Sequence, residues 1–207
     1  MSKSDTLSRL NHLFDVKHKK MLDDYRESDT SPNNNKNGDM YEELACHLLE
    51  LMGCNHGRGV KLQVYSASSC ADIACDVVVY NNQGTPSAYI ECKTYLDACF
   101  LKRFTADCMY LSKSYPDMEF FIFCGQNNTN EESFKFYKEE FERIIGKEFN
   151  LYYILDMGDN VEKKRSYKKT DLFRNEDYKL DIKVISKMYD KLKSMKNFQS
   201  QLELFQG

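Results

Sequence analysis

The stretch Asp76–Lys93, DVVVYNNQGTPSAYIECK, holds two apolar runs separated by a turn-forming segment. Val77, Val78 and Val79 are β-branched, NNQG carries the residues that reverse a chain, and AYIECK is apolar again until its glutamate and lysine. β-branched and aromatic residues suit a pleated, half-buried surface, and a glycine-containing turn between two such runs marks a hairpin. The expected elements are a strand over roughly 73–80, a turn, and a strand from Ala88 to Lys93. Alternate side chains of a strand point to opposite faces. Glu91 and Lys93 therefore share one face, while Ile90 and Cys92 point the other way into the core. A carboxylate and an ammonium in an otherwise apolar strand need compensation, because burying an unpaired charge is expensive. Asp76 opens the neighbouring strand, so its carboxylate can converge with that of Glu91.

A divalent cation would supply the compensation. Magnesium prefers oxygen ligands in octahedral geometry and keeps several waters. Asp76 and Glu91 are the expected ligands, with the backbone carbonyl of Cys92 as a further candidate and a scissile phosphate oxygen completing the sphere. Lys93 would either position and help deprotonate the attacking water or stabilise developing charge. Asp72 is a reserve for Asp76, although its place beside the loop SASSCA suits a structural or DNA-facing role better.

Outward from this segment, helical and strand periods alternate. Leu7, Leu10, Phe14, Met21 and Tyr25 suggest one or two N-terminal helices, capped by Ser4 or Asp5. Ser28–Gly38 is made of turn formers and reads as a mobile loop. Tyr41, Leu44, Ala45, Leu48, Leu49 and Met52 recur at helical spacing, with Gly53 as the stop. Val60, Leu62 and Val64 alternate with polar residues as a first strand. Leu96–Lys113 reads as a helix, Glu119–Cys124 as a buried strand, and Asn130 as the cap of a helix with the stripe Phe134, Tyr137, Phe141, Ile144. Asn150–Leu155 is a strand, and Ile182, Ile185, Tyr189 and Leu192 define a last helix. The expected fold class is α/β, a mixed sheet flanked by helices in a single domain. Residues 1–37 form its helical start and loop, 38–160 its core, and 161–207 a basic C-terminal region of the same domain.

The 207 residues suffice for one sizeable core, and 42% hydrophobic with 29% charged residues is a globular rather than a disordered balance. No apolar run approaches the ~18 residues of a membrane span, and MSKSDTLSRL lacks the apolar stretch of a secretory signal. The eight cysteines include no CxxC pair and mostly sit in apolar segments, so free buried thiols in a reducing, cytoplasmic setting are expected rather than a zinc site. The net charge of -3 argues against non-specific coating of nucleic acid. The balance is uneven, however: Val161–Lys196 carries twelve Lys or Arg against six Asp or Glu. There is no GxxxxGK for nucleotide phosphates, no HExxH, no histidine cluster and no nucleophile elbow.

GDMYEE (38–43), CDVVVY (75–80) and YIECKTY (89–95), in that order, resemble the PD-(D/E)XK nuclease superfamily. The spacing is similar to that of type II restriction endonucleases, including those that cut asymmetric sites. The resemblance implies a restriction-endonuclease-like mixed sheet, Mg²⁺-dependent cleavage of phosphodiester bonds in double-stranded DNA, and 5′-phosphate products. It assigns the paired acids to Asp76 and Glu91 and the lysine to Lys93. Many members place a glutamate on the preceding helix, where it binds or orients the metal and its water. Here that position falls on Glu42, with Glu43 as the reserve. Cys75 stands where the family usually has proline.

For DNA contact, Gln126, Asn127 and Asn128 could present amides to base edges or simply form a capped turn. Lys163, Lys164, Arg165, Lys168 and Lys169 are candidate backbone-contacting residues. Tyr65 and Tyr95 are expected to pack rather than stack on bases. One active site cuts one strand, so a double-strand break calls for a homodimer, a heterodimer with a second nuclease subunit, or successive nicks. A structure-selective repair or recombination nuclease and a non-catalytic DNA-binding subunit are the alternative readings.

Overall fold

A computed structural model describes residues 1–28, 34–127, 129–156 and 178–195. Three long strands follow two helices: α1 (Lys3–Ser28), α2 (Asn34–Met52), β1 (His56–Tyr65), β2 (Cys70–Tyr80) and β3 (Pro86–Leu96). Then come α3 (Ala98–Ser114), β4 (Glu119–Asn127), α4 (Glu131–Ile145), β5 (Asn150–Tyr153), the short β6 (Leu155–Asp156) and β7 (Lys179–Leu180), and α5 (Ile182–Ser194).

The main sheet runs β1-β2-β3-β4-β5. Its first three strands are antiparallel, whereas β3, β4 and β5 pair in parallel. The change of direction follows from the connections. The β2–β3 link is the short turn 81–85, in which Asn81 accepts from the amides of Gln83 and Thr85, each at 2.9 Å. The β3–β4 link holds the whole of α3, as a parallel crossover requires. The mixed α/β sheet expected from the sequence is the observed one.

Each face of the sheet is covered. Val77, Val79, Ala88, Ile90, Cys92, Phe121 and Phe123 pack with Leu10 and Phe14 of α1, Tyr41, Leu44 and Leu48 of α2, and Ile185, Met188 and Leu192 of α5. Cys75, Val78, Tyr89, Phe120, Ile122 and Cys124 pack with Phe104, Cys108 and Leu111 of α3 and Phe141 of α4. Stacking of Phe104 on Phe141, with ring centroids 5.7 Å apart, ties α3 to α4. The N-terminal helix and α5 are thus parts of the same core as the sheet.

The pattern of β1 and β2 changes sides midway. Cys75 belongs to the α3–α4 face, yet Val77 and Val79 belong to the α2 face. In the partner strand Val60 packs toward α3, while Arg58, paired with Val77, reaches α2. Strict alternation would keep positions of one parity on one face. The switch falls at Gly59 and Asp76, which the ladder passes over between Arg58↔Val77 and Val60↔Cys75. Gly59 has φ +61, a left-handed conformation open to glycine.

Several local expectations need correction. Ser2 caps α1, accepting from the Asp5 amide at 3.1 Å, in place of Ser4 or Asp5. Helix α2 begins at Asn34, so part of the expected loop is helical. Asp76 lies mid-strand because β2 begins at Cys70. Gln126 and Asn127 continue β4, paired with Tyr95 and Leu96, instead of forming a turn. On α4, Ile144 is exposed and Ile145 takes its place against the core. Tyr65 is 62% exposed and does not pack. The stop at Gly53 (φ +74) and the Asn130 cap are as the sequence indicated, and Gly146 (φ +71) closes α4. No described helix is long and apolar enough to cross a membrane.

Candidate active site

The backbone irregularity at Asp76 creates the site. The β2–β3 register ends toward this side at Val77↔Ile90, so Asp76 and Glu91 face each other beyond the last paired residues. The Asp76 side chain takes over the role of the ladder: its Oδ2 accepts the Cys92 amide at 2.8 Å. Lys93 Nζ donates to the same oxygen at 3.3 Å. Lys93 Nζ also lies 2.8 Å from Glu91 Oε1. Two carboxylates from adjacent strands therefore share one ammonium, with Glu91 and Lys93 on one face as their period-two spacing predicted.

Glu91 is only 4% exposed. Burial pushes its carboxyl above the usual carboxylate range, and Asp76 adds to this, while Lys93 and Arg103 pull it back. Burial alone would lower Lys93, but Glu91 and Asp76 outweigh it and leave its ammonium held more firmly than in water. The Cys92 thiol is buried on the opposite face, with its own proton held well above the ordinary thiol range by burial. Only the Cys92 backbone is thus placed to contribute at the site.

A cleft of about 700 Å³ opens beside this cluster. Its walls are the N-terminal part of α2 with Glu42, the end of β3 with Lys93, and the first turns of α3 with Phe100 and Arg103. Asp97 caps α3 by accepting the Phe100 amide at 2.8 Å, which fixes where those turns begin. Lys93 Nζ lies 5.6 Å and the Arg103 guanidinium 5.9 Å from the centre of the Phe100 ring. Tyr95 also lines the cleft.

Glu42 reaches the cleft but is engaged elsewhere, accepting from Arg58 Nε at 2.7 Å. Arg58 donates a second hydrogen bond to Asp39 at 2.7 Å and lies 3.6 Å from Glu43. Its proton is held above the usual guanidinium range, mainly by the Glu42 hydrogen bond. Glu43 also pairs with Lys17 and is absent from the cleft lining. Asp72 is exposed opposite Gln63, four residues along β2 from Asp76, and takes no part. Asn128 and the basic residues Lys163, Lys164, Arg165, Lys168 and Lys169 lie outside the described residues, and of Gln126 and Asn127 only the backbone is described.

Close approach of α2 to the site depends on Gly125. A Cβ there would lie 2.4 Å from Tyr41 Oη and 2.6 Å from the Thr94 carbonyl. The next residue after Tyr41 is Glu42, so this contact sets how near the helix acid comes to β3.

Arg58, Asp39 and Arg103 were not singled out from the sequence. Arg58 had a signal, as an isolated cation between Gly57 and Gly59 with no apolar pattern to serve. Arg103 had less, lying on a helix among Phe100, Leu101 and Phe104 where any long cation could be a solvated flank. Its Nη2 donates to Glu91 Oε1 at 3.2 Å.

Among the described residues, no three His, Cys, Asp or Glu side chains gather as a metal-ligand cluster. Asp76 and Glu91 form a pair of hard oxygen donors already sharing a cation, the Lys93 ammonium, and this donor set fits magnesium, which takes one or two carboxylates and keeps waters. No family model matches the chain, and no curated protein matches it.

Proposed function

We propose that this protein is a magnesium-dependent endonuclease of the type II restriction kind, acting on double-stranded DNA and leaving 5′-phosphates. The observation that carries the reading is the convergence of Asp76 and Glu91 on Lys93, at 3.3 and 2.8 Å, where the β2–β3 ladder opens. The order helix acid, strand acid, hairpin and ECK, with its PD-(D/E)XK resemblance, supports it. The mixed sheet flanked by helices is compatible with a restriction-endonuclease-like core.

Asp76 and Glu91 would hold the ion, aided by the Cys92 carbonyl, and Glu42 would join through water once released from Arg58. The bound Mg²⁺ would supply Lewis acidity toward water and phosphate. Water adds to phosphorus, the 3′-oxygen leaves with the bond electrons and a proton, and the phosphate stays on the 5′ side. Asp76 ties β2 to β3 through the Cys92 amide, so the acids meet the phosphate in a set geometry. Lys93, held as an ammonium by its two acids, orients the attacking water and stabilises charge developing on the phosphoryl oxygens. The reading includes a second copy, or a different nuclease subunit, for the other strand.

Supercoiled plasmid incubated with and without Mg²⁺, using the native chain and Lys93→Ala, tests this directly. Nicked or linear products that require Mg²⁺ and fall at least about 100-fold in the variant are expected. Absence of cutting by the native chain on supercoiled, linear and branched DNA sinks the reading; cutting confined to branched DNA replaces restriction with a resolvase-like role.

A further inference from the structure

We infer that Arg103 grips the phosphodiester of the substrate, forming with Lys93 a two-cation cradle in the cleft; this rests on the nuclease reading above. Three observations lead there. Arg103 uses Nη2 on Glu91 Oε1 at 3.2 Å, yet its side chain remains 62% exposed and lines the cleft. A guanidinium has five donors in a rigid fork, so one bond to Glu91 leaves most of that fork for a second anion. Phe100 lies beneath both cations, with the Lys93 ammonium and Arg103 guanidinium 5.6 and 5.9 Å from its ring centre. The aromatic face holds the two charges side by side without neutralising either.

Structural pairing alone does not account for this placement. An arginine needed only to neutralise Glu91 would duplicate Lys93, which already sits closer to the same oxygen at 2.8 Å. Arg103 stands on α3 and Lys93 on β3, so the two cations meet beside one cleft from two different elements. On the nuclease reading that second anion is the phosphodiester, whose two non-bridging oxygens can take a guanidinium fork bidentately. In this arrangement Arg103 bonds to both a metal-side acid and a substrate oxygen, aligning one with the other.

The test compares native protein, Arg103→Ala and Arg103→Lys on supercoiled plasmid at saturating Mg²⁺. It is joined to duplex-oligonucleotide binding by the same three proteins across a salt series, measured without Mg²⁺ so that nothing is cut. Arg103→Ala is expected to cut roughly 100-fold more slowly, and to lower the slope of log binding constant against log salt by about one, the signature of one lost phosphate contact. Arg103→Lys keeps the charge and should keep the native slope while cutting at an intermediate rate. A slower cut with an unchanged slope overturns the phosphate contact and leaves Arg103 acting only through Glu91. Native cutting that Arg103→Ala does not alter overturns this inference alone, whereas a native chain that neither binds nor cuts duplex overturns the nuclease reading and this inference with it.

Discussion

Burial alone would draw the proton off Lys93, yet Glu91 and Asp76 hold it on, so this side chain and its two acids stand or fall together. Removing one partner of a buried ion pair strands the other, at a cost on the order of 3 kcal/mol. Lys93→Met leaves Glu91 against Asp76 with Arg103 as its remaining cation. The pH sign follows from Glu91, whose carboxyl is raised above its ordinary 4.5. A raised carboxyl contributes stability that is full below the unfolded value and is lost as pH rises through the folded value. The stability deficit of Lys93→Met should therefore be small near pH 4.5 and grow toward neutrality, as read from urea-unfolding midpoints at the two ends. In the native protein the raised Lys93 value keeps that residue's own contribution intact up to about 10.5, and it is lost only above that. The shared face of Glu91 and Lys93 was legible in the sequence because period two decides it, and the hairpin turn put Asp76 on the neighbouring strand. Arg58 and Arg103 were not, because each finds its carboxylates on another element, and spacing along one strand or helix says nothing about that.

Elements meet at the site through two backbone exceptions. One is the skipped Gly59–Asp76 pair, which frees Asp76 from the ladder. The other is Gly125, where β3 and β4 also pass over a pair, between Lys93↔Cys124 and Tyr95↔Gln126. Gly125→Ala would force its methyl against the Tyr41 hydroxyl and the Thr94 carbonyl. Overpacking of this kind costs about 1–3 kcal/mol, so a fall of several degrees in thermal midpoint is expected. Because Tyr41 carries Glu42 with it, the variant should also need more Mg²⁺ for half-maximal cutting, measured by titrating the plasmid assay. The strands and helices themselves were largely readable, since valine runs, the NNQG turn and the Asn130 cap act locally. Their ends were not: β4 runs on to Asn127 because Tyr95 and Leu96 offer partners, and α2 reaches back to Asn34 through residues that in isolation favour turns. The face switch at Asp76 was likewise hidden, because Cys75, Val77 and Val78 are all apolar and any assignment of sides satisfies them.

Across the described molecule, two cores clamp the five-stranded sheet, one under α1, α2 and α5 and the other under α3 and α4. Each chain brings one Asp76–Glu91–Lys93 set, so a duplex cut in both strands at once needs two active chains. Native protein mixed with a large excess of Lys93→Ala should shift plasmid products from linear to nicked circles, as scored on a gel. Unchanged linear product would mean that one chain cuts both strands in turn. The α/β class and the flanking of the sheet by helices could be read from alternating periods, and the joining of α1 to α5 over one face could not, since their contacts span most of the chain. The face switch at Gly59 and Asp76 also divides the β1–β2 hairpin into an inner half whose Val77 and Val79 pack under α2 and an outer half that packs under α3 and ends in the exposed residues 65–70. Leu62, Val64 and Cys75 hold the outer half in the core under α3, while the residues at its tip, 65–70, are exposed. That makes the hairpin tip a replaceable cassette: on the proposed nuclease reading, a lineage under selection for a different target could lengthen or rewrite it and inherit the acids and Lys93 unchanged.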